Sequence, residues 1–362
     1  MSYDETLTTE TKLLAANRQD ENMPKVSVCI PSYNHAHYIG ECIKSVLEQT
    51  FDDWDLVIVD NHSSDNTEEV VRTFADPRIR FFKNETNIGP ARNWSRCVSL
   101  ASGDYVAILQ SDDKYLPRML ELSAAMLDAY PRIGLTHSSF HRIDSDGNFI
   151  DTKRRWARDQ VMDGLTALKQ LVTDQYITPS SAVMRRTCFH DVGGFDESYR
   201  YNLDWSLWLR LALSCDFGYI AEPLVANRSG HSGSLTVRTV DRRPRVSLSE
   251  ELRLLEETFE RLPATREWRE LHRQAYRYVM HRHTIRVLAL LHQGETSLFR
   301  SEIAYAIRQN HRFPLQYRKI MALCAASVFG AGFARWLDTG EQNFWQALRR
   351  EPEKREPTRI IP

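Results

Sequence analysis

Four apolar runs of strand length, each broken off by a cluster of polar side chains, restrict what this chain can fold into more than any other feature. Val26-Ser27-Val28-Cys29-Ile30 runs into Pro31-Ser32-Tyr33-Asn34, and Asp55-Leu56-Val57-Ile58-Val59 into Asp60-Asn61-His62-Ser63-Ser64-Asp65. The run 79–82 precedes Asn87-Ile88-Gly89-Pro90-Ala91-Arg92-Asn93, and Val106-Ala107-Ile108-Leu109, introduced by Gly103, stops at Gln110-Ser111-Asp112-Asp113. Four consecutive apolar residues leave no polar face, so the last run reads as a strand buried on both sides. Between the runs, Ile39, Ile43, Val46 and Leu47 mark one face of a helix. Asp65 and Glu68 have the spacing of a capping box, and Ala91, Trp94 and Val98 stripe a third helix. The βαβαβαβ order predicts an α/β fold, a mainly parallel sheet with helices on both faces.

In such a sheet the carboxyl ends of the strands share one edge, and ligands bind there. One polar cluster would be an ordinary loop; four at successive strand ends predict a pocket. Asp112 and Asp113 place adjacent hard oxygen donors at that edge. They suit Mg²⁺ or Mn²⁺ accompanying a diphosphate, although acidic residues also open ordinary helices. No Gly-x-Gly-x-x-Gly follows the first run and no Gly-x-x-x-x-Gly-Lys-Ser/Thr occurs, so dinucleotide and P-loop readings lack their phosphate-cradling turns.

After about residue 133 the pattern changes to short strands and turns. Asp144-Ser145-Asp146-Gly147-Asn148 is a turn signal, 180–184 a short strand, and 203–213 a helix with an aromatic stripe. Beyond about 241 the chain reads as helical and arginine-rich. The expected organisation is a polar, flexible leader over 1–24 that lacks the apolar core of a signal peptide, an α/β domain over 25–240, a basic helical region over 241–350, and a charged tail over 351–362. A formal net charge of -1 gives no reason to expect a nucleic-acid partner. Over 261–350, however, cationic side chains outnumber acidic ones by about nine, so this region suits an anionic surface or a solvated helical face. The apolar stretch 320–333 is shorter than the ~20 residues a membrane span needs, and fits a buried helix or an interfacial segment. The helices' apolar faces have three candidate covers: the α/β domain, a second copy in a homodimer, or a bilayer. Six scattered cysteines without a Cys-x-x-Cys pair fit a reducing cytoplasm.

The ordered motifs resemble the family 2 glycosyltransferases of the GT-A fold, nucleotide-sugar-dependent enzymes that build bacterial surface polysaccharides such as the O-antigen of lipopolysaccharide. The elements that match are 26–34, Val59-Asp60-Asn61-His62-Ser63-Ser64-Asp65-Asn66-Thr67, Asn87-x-Gly89 with Ala91-Arg92-Asn93, and 103–113. Gly193-Gly194-Phe195-Asp196-Glu197 and Asp204-Trp205-Ser206-Leu207-Trp208-Leu209-Arg210 complete the set, which covers 25 to about 238. The resemblance implies an inverting transfer of one sugar from a nucleoside diphosphate sugar, UDP- or dTDP-linked, to a hydroxyl of an acceptor glycan carried on a lipid. The place would be the inner face of the cytoplasmic membrane. It assigns Asp60 to the nucleobase; Pro31, Tyr33 and Asn34 to the base and ribose wall; and Asn87, Gly89 and Arg92 to the nucleotide pocket, with Arg92 toward the diphosphate.

Asp112 matches the last carboxylate of the family's Asp-x-Asp signature and is the implied metal ligand. Gln110 replaces the first, so Asp113 is expected to assist, while Gln110 and Ser111 line the donor. His231 falls where related enzymes place a histidine near the metal or diphosphate. Asp204 matches the catalytic base, with Leu203 in place of the usual Glu, and Trp205 is a candidate platform for the acceptor. A sugar nucleotidyltransferase would need a glycine-rich loop with Arg or Lys after the first strand, and 31–37 contains neither. A non-catalytic scaffold with a degenerate pocket stays open on the strength of Gln110 and Leu203.

Overall fold

Strands form where the apolar runs predict them: β1 (Val26–Ser32), β2 (Trp54–Asp60), β3 (Ile79–Lys83) and β4 (Tyr105–Ile108). The computed structural model describes residues 23–231, 244–292 and 294–309. The chain divides into two compact units on either side of residues 234–235. In the first unit, β1 pairs in parallel with β2 and β4, and β2 with β3, so these four strands end at one edge. The register brings Ser32 opposite Asp60 there.

The helices α1 (Ala36–Leu47), α2 (Thr67–Arg72) and α3 (Pro90–Ser99) return the chain between these strands. Ile39, Cys42, Ile43 and Val46 of α1 are buried at helical spacing, and pack with Val28, Ile30, Leu56 and Ile58 in one core. Each such side chain contributes about 1.5–3 kcal/mol on leaving water. Helix α2 lacks the expected capping box. Asp65 instead accepts from Thr67 N and Ala36 N, holding two loops together, while Glu68 pairs with Arg72 and Lys83.

After β5 (Lys114–Tyr115) and α4 (Met119–Ala129) the chain departs from the expected short strands. β6 (Ile133–Ile143) has eleven residues. Its polar Thr136, His137, Ser138 and Ser139 are all buried, which hides it from a hydrophobic pattern. The segment 144–148 forms the expected turn into β7 (Phe149–Lys153), with Asp144 accepting from Asp146 N and Asn148 N. There follow β8 (Gln160–Met162), α5 (Gly164–Leu171), a 3₁₀ turn (Pro179–Ser181), β9 (Ala182–Arg185), α6 (Arg186–Asp191), α7 (Leu203–Ala212) and the thirteen-residue β10 (Asp216–Arg228). The sheet order is β3-β2-β1-β4-β9-β6-β10-β5, with β7 on β6 and β8 on β10. β9 runs antiparallel to both β4 and β6, and β10 is parallel to β6. β10 therefore also ends at the edge where β1, β2 and β4 end.

Gly103 is fixed by close approach rather than by flexibility. A Cβ there would lie 2.6 Å from Ser27 N, and Ser27 Oγ already accepts from Gly103 N. Gly103→Ala should therefore lower stability by about 1–3 kcal/mol in chemical denaturation; unchanged stability would contradict this account of the turn into β4.

The second unit has three described helices, α8 (Pro244–Glu260), α9 (Arg266–His292) and α10 (Thr296–Gln309). Leu248, Leu255, Val279, Met280 and Phe299 are buried. Glu251, wholly enclosed, takes Arg286 at 2.9 Å, so part of this region's positive charge is neutralised internally. No described helix is long and apolar enough to cross a membrane. The stretch 320–333 lies outside the described residues.

Candidate active site

The loop after β4 sets the two adjacent aspartates to different tasks. Asp113 is buried and turned inward. It accepts from Arg228 N (2.7 Å), Asn227 Nδ2 (2.9 Å) and Ser180 Oγ (2.5 Å), which ties the end of β4 to the end of β10 and to the 3₁₀ turn. Burial, with the neighbouring Asp112 charge, pushes its pKa up to about 7 against those donors. Asp113 therefore does not assist at a metal as expected: both its oxygens are committed to the scaffold.

Asp112 points the other way. His231 Nε2 lies 2.8 Å from its Oδ2. Burial would raise the Asp112 pKa, but the His231 hydrogen bond and the charges of His35 and His231 outweigh it and hold the carboxyl below its ordinary range. Gly230, at φ 81°, turns the chain so that His231 folds back from the end of β10. The buried Arg228 fixes this corner. It donates from Nε to Asp112 O (2.9 Å), from Nη1 to Ser145 O (2.8 Å) and from Nη2 to Glu41 Oε2 (3.0 Å), with its guanidinium 4.6 Å from the Tyr38 ring centre. His35 Nδ1 sits 2.7 Å from Ser111 Oγ, and the Tyr38 ring packs edge-on against His231. The side chain of Gln110, the non-acidic position, is half-buried at the head of this loop.

On the other side of the edge, the loops after β1, β2 and β3 are locked together. Asn34, at φ 53°, accepts from Ser64 N at 2.8 Å, and its own N–H donates to Ser63 Oγ. Asp60 is closed from solvent; Ser63 N donates to its Oδ2 at 3.0 Å and Ser63 Oγ to its Oδ1. A ladder of amides then spans the loops: Asn87 takes Asn61, Asn61 takes Asn84, and Asn84 reaches Asn93, each at 2.9 Å. Asn61, Asn84 and Asn93 are buried, and buried amides bonded on both ends fix geometry well; Asn87 is the exposed end of the ladder. Gly89, at φ 86°, leads into α3 with open space where a Cβ would stand, and Pro31 is buried in β1. Tyr33 is exposed, and Ser32 Oγ is buried without a partner. Arg92 is exposed and reaches Glu197 at 3.2 Å.

Asp204 stands in the first turn of α7, half-buried, accepting from Trp205 N at 2.8 Å. Gln175 Nε2 lies 3.3–3.4 Å from both its oxygens. The segment carrying Gln175 also carries Ser180, so one short stretch touches both Asp204 and Asp113. Trp205 is not an acceptor platform. It is fully buried, its indole N–H donating to Leu171 O at 3.0 Å, because α7 is apolar nearly all round. Sequence reasoning missed His35, Tyr38, Gln175, Ser180 and Arg228. Of these only Arg228 had a local signal, its place beside His231.

Residues 27–193 match the description of glycosyl transferase family 2. Over 202 residues the chain is 41% identical to the Escherichia coli UDP-Glc:alpha-D-GlcNAc-diphosphoundecaprenol beta-1,3-glucosyltransferase WfgD, covering 53% of this chain and 74% of that protein. The chain belongs to glycosyl transferase family 2. This glycosyltransferase spans about two thirds of the length of the first curated relatives it matches. Its fold is of the GT-A type. Staphylococcus aureus TarS 1–349 in complex with UDP aligns at TM-score 0.56 and 19% identity over 72% of this chain and 71% of that one. The Pyrobaculum calidifontis mannosyltransferase PcManGT, in complex with GDP-Man and Mn²⁺, aligns at 0.52 and 17% over 95% and 92%.

The residues at Asp112 fit a divalent cation that arrives on a diphosphate. His231 Nε2 is taken up by Asp112 Oδ2, and its Nδ1, across the ring, points away from that carboxylate, so His231 positions Asp112 and is not the second ligand the sequence led us to expect. Among the described residues no group of three or more His, Cys, Asp or Glu could hold a metal. One or two protein ligands are what Mg²⁺ usually takes when substrate phosphates supply the rest.

Proposed function

We propose that this glycosyltransferase moves one sugar from a UDP- or dTDP-sugar to a hydroxyl of a lipid-linked glycan acceptor, with inversion, in the synthesis of a bacterial surface polysaccharide. The observation that carries this is the division of labour at 112–113: a charged, histidine-backed carboxylate at the strand edge, held in place by a second carboxylate that is wholly structural. With His231 orienting its carboxylate from behind, Asp112 would hold the cation. When bound, it would neutralise charge on the departing diphosphate.

The remaining roles belong to the chain's own side chains. The locked loops at 31–34, 60–65 and 84–89 would seat the nucleotide. Asp60, whose two oxygens Ser63 occupies, would accept a pyrimidine N–H once the Ser63 hydroxyl turns away from Oδ1. Arg92, at the start of α3, would swing from Glu197 to the diphosphate. Asp204 would take the acceptor proton, oriented by Gln175 in place of the glutamate that Leu203 displaces. Catalysis is proposed to lie in 25–240. The basic helices of 241–350 would bring that domain to an anionic bilayer on the cytoplasmic side.

Release of nucleoside diphosphate from a panel of sugar donors, with Mn²⁺ or with EDTA, tests the reading. Release from a uridine or thymidine donor, lost in EDTA, is expected; a panel without any release would overturn it. Gln175→Met keeps the volume and removes the amide. It should lower kcat about tenfold with donor KM unchanged, and equal kcat would remove Gln175 from this role.

A further inference from the structure

The residue after Gln175, Tyr176, belongs to a polar and aromatic cluster that the chemistry above does not use. One rung of the sheet places His137 of β6, Tyr219 of β10 and Gln160 of β8 side by side, and residues directly opposite share a face. Trp156 and Tyr176 close over that rung. Ring centres lie 5.4 Å apart for His137 and Tyr176, 5.8 Å for Trp156 and Tyr176, and 4.8 Å for Trp156 and Tyr219. The Tyr219 hydroxyl is fully engaged, with Ser139 Oγ at 2.6 Å and the N–H groups of Arg155 and Trp156 donating to it.

Its neighbours are not. His137 Nε2, Trp156 Nε1, Gln160 Oε1, Tyr176 Oη and Arg155 Nε are all buried without a hydrogen-bond partner. His137 and Gln160 are 2% exposed and Trp156 4%. More than nine in ten buried polar groups in folded proteins are paired, so five unpaired ones in a single cluster mark a place whose partner is not part of the fold.

The chemistry of the five narrows what that partner is. Trp156 Nε1 and Arg155 Nε only donate, Gln160 Oε1 only accepts, and a tyrosine hydroxyl does both. Burial, with the Arg155 charge beside it, pushes the His137 pKa down to about 3, so its ring is neutral and can serve in either direction. Phosphates and carboxylates only accept, and ammonium groups only donate. Hydroxyls do both, and a sugar ring adds flat C–H faces that pack on aromatic rings.

Position narrows it further. Tyr176 follows Gln175, whose amide reaches Asp204. The Arg155 guanidinium lies 4.3 Å from the Tyr176 ring centre, held there by Asp174 and by Gln170 Oε1. Arg155 thus lies over one side of the Tyr176 ring, while His137 and Trp156 pack against it from the sheet.

We propose that Tyr176, backed by Trp156 and His137 and covered by Arg155, is the platform on which the acceptor's terminal sugar lies beside Asp204. This rests on the transferase reading above. Saturation-transfer NMR on the full chain, with the methyl glycosides of glucose, galactose, N-acetylglucosamine and N-acetylgalactosamine as probes, tests it without requiring turnover. At least one glycoside should receive saturation, and Tyr176→Leu should abolish this. Tyr176→Phe should weaken binding about three- to tenfold without lowering the unfolding temperature, because the hydroxyl it removes has no partner inside the fold.

If no glycoside receives saturation, or if both Tyr176 variants bind as the parent does, the platform is overturned. Protection by UDP in a parallel thermal-shift series separates the two readings. UDP protection without glycoside binding removes the platform alone, and glycoside binding without UDP protection removes the donor assignment alone.

Discussion

Asp112→Asn is expected to lower sugar transfer by about a thousandfold, roughly 4 kcal/mol of transition-state stabilisation, and to abolish the effect of Mn²⁺ on nucleotide binding. The amide keeps the shape of the carboxylate, and its oxygen can still accept from His231 Nε2, so the loop after β4 should stay folded. What disappears is the negative charge. The effect should be large because no second carboxylate can compensate: Asp113 is held by Ser180, Asn227 and Arg228, and position 110 is an amide. Thermal unfolding with UDP, in Mn²⁺ and in EDTA, checks the binding half, and release of UDP from a UDP-sugar checks the chemical half. A variant protected by UDP and Mn²⁺ to the same degree as the parent would dismiss Asp112 as the cation ligand.

Asp204→Asn should have a different signature. Transfer is expected to fall by about 10²–10⁴-fold, the usual contribution of a positioned general base, while UDP protection stays intact. Asp204 belongs to α7 and is held by Gln175 and the Trp205 amide, apart from the nucleotide-side loops. The asparagine can take the same cap on Trp205 N, so a loss of stability should not accompany the loss of rate. Single-turnover measurements with saturating donor check this, and equal turnover would reject Asp204 as base.

Much of the fold was legible because its first half obeys hydrophobic patterning. Strands β1 and β4 are buried throughout and β2 nearly so, with β3 half-buried at the end of the sheet, and the strands end at one edge. The second half was harder to read because its longest strands are polar inside. β6 buries Thr136, His137, Ser138 and Ser139 in succession, and β10 carries Pro223 at a register shift against β6. At the site, the sequence pointed to Asp112 and His231 as neighbours but could not separate Asp113 from Asp112. Their opposed orientations depend on Arg228 and Ser180, more than 60 residues away along the chain. Trp205 was misread for a related reason: an aromatic stripe on a helix has the same spacing whether it faces core or cleft, and here both Trp205 and Trp208 face core.

The asparagine ladder limits how the loops after β2 and β3 can be re-engineered. Because Asn61, Asn84, Asn87 and Asn93 rivet separate connections into one rigid panel, those connections are not interchangeable parts. A stretch grafted from a homologue would arrive without its bonding counterparts, so such grafts have to be exchanged as a matched set.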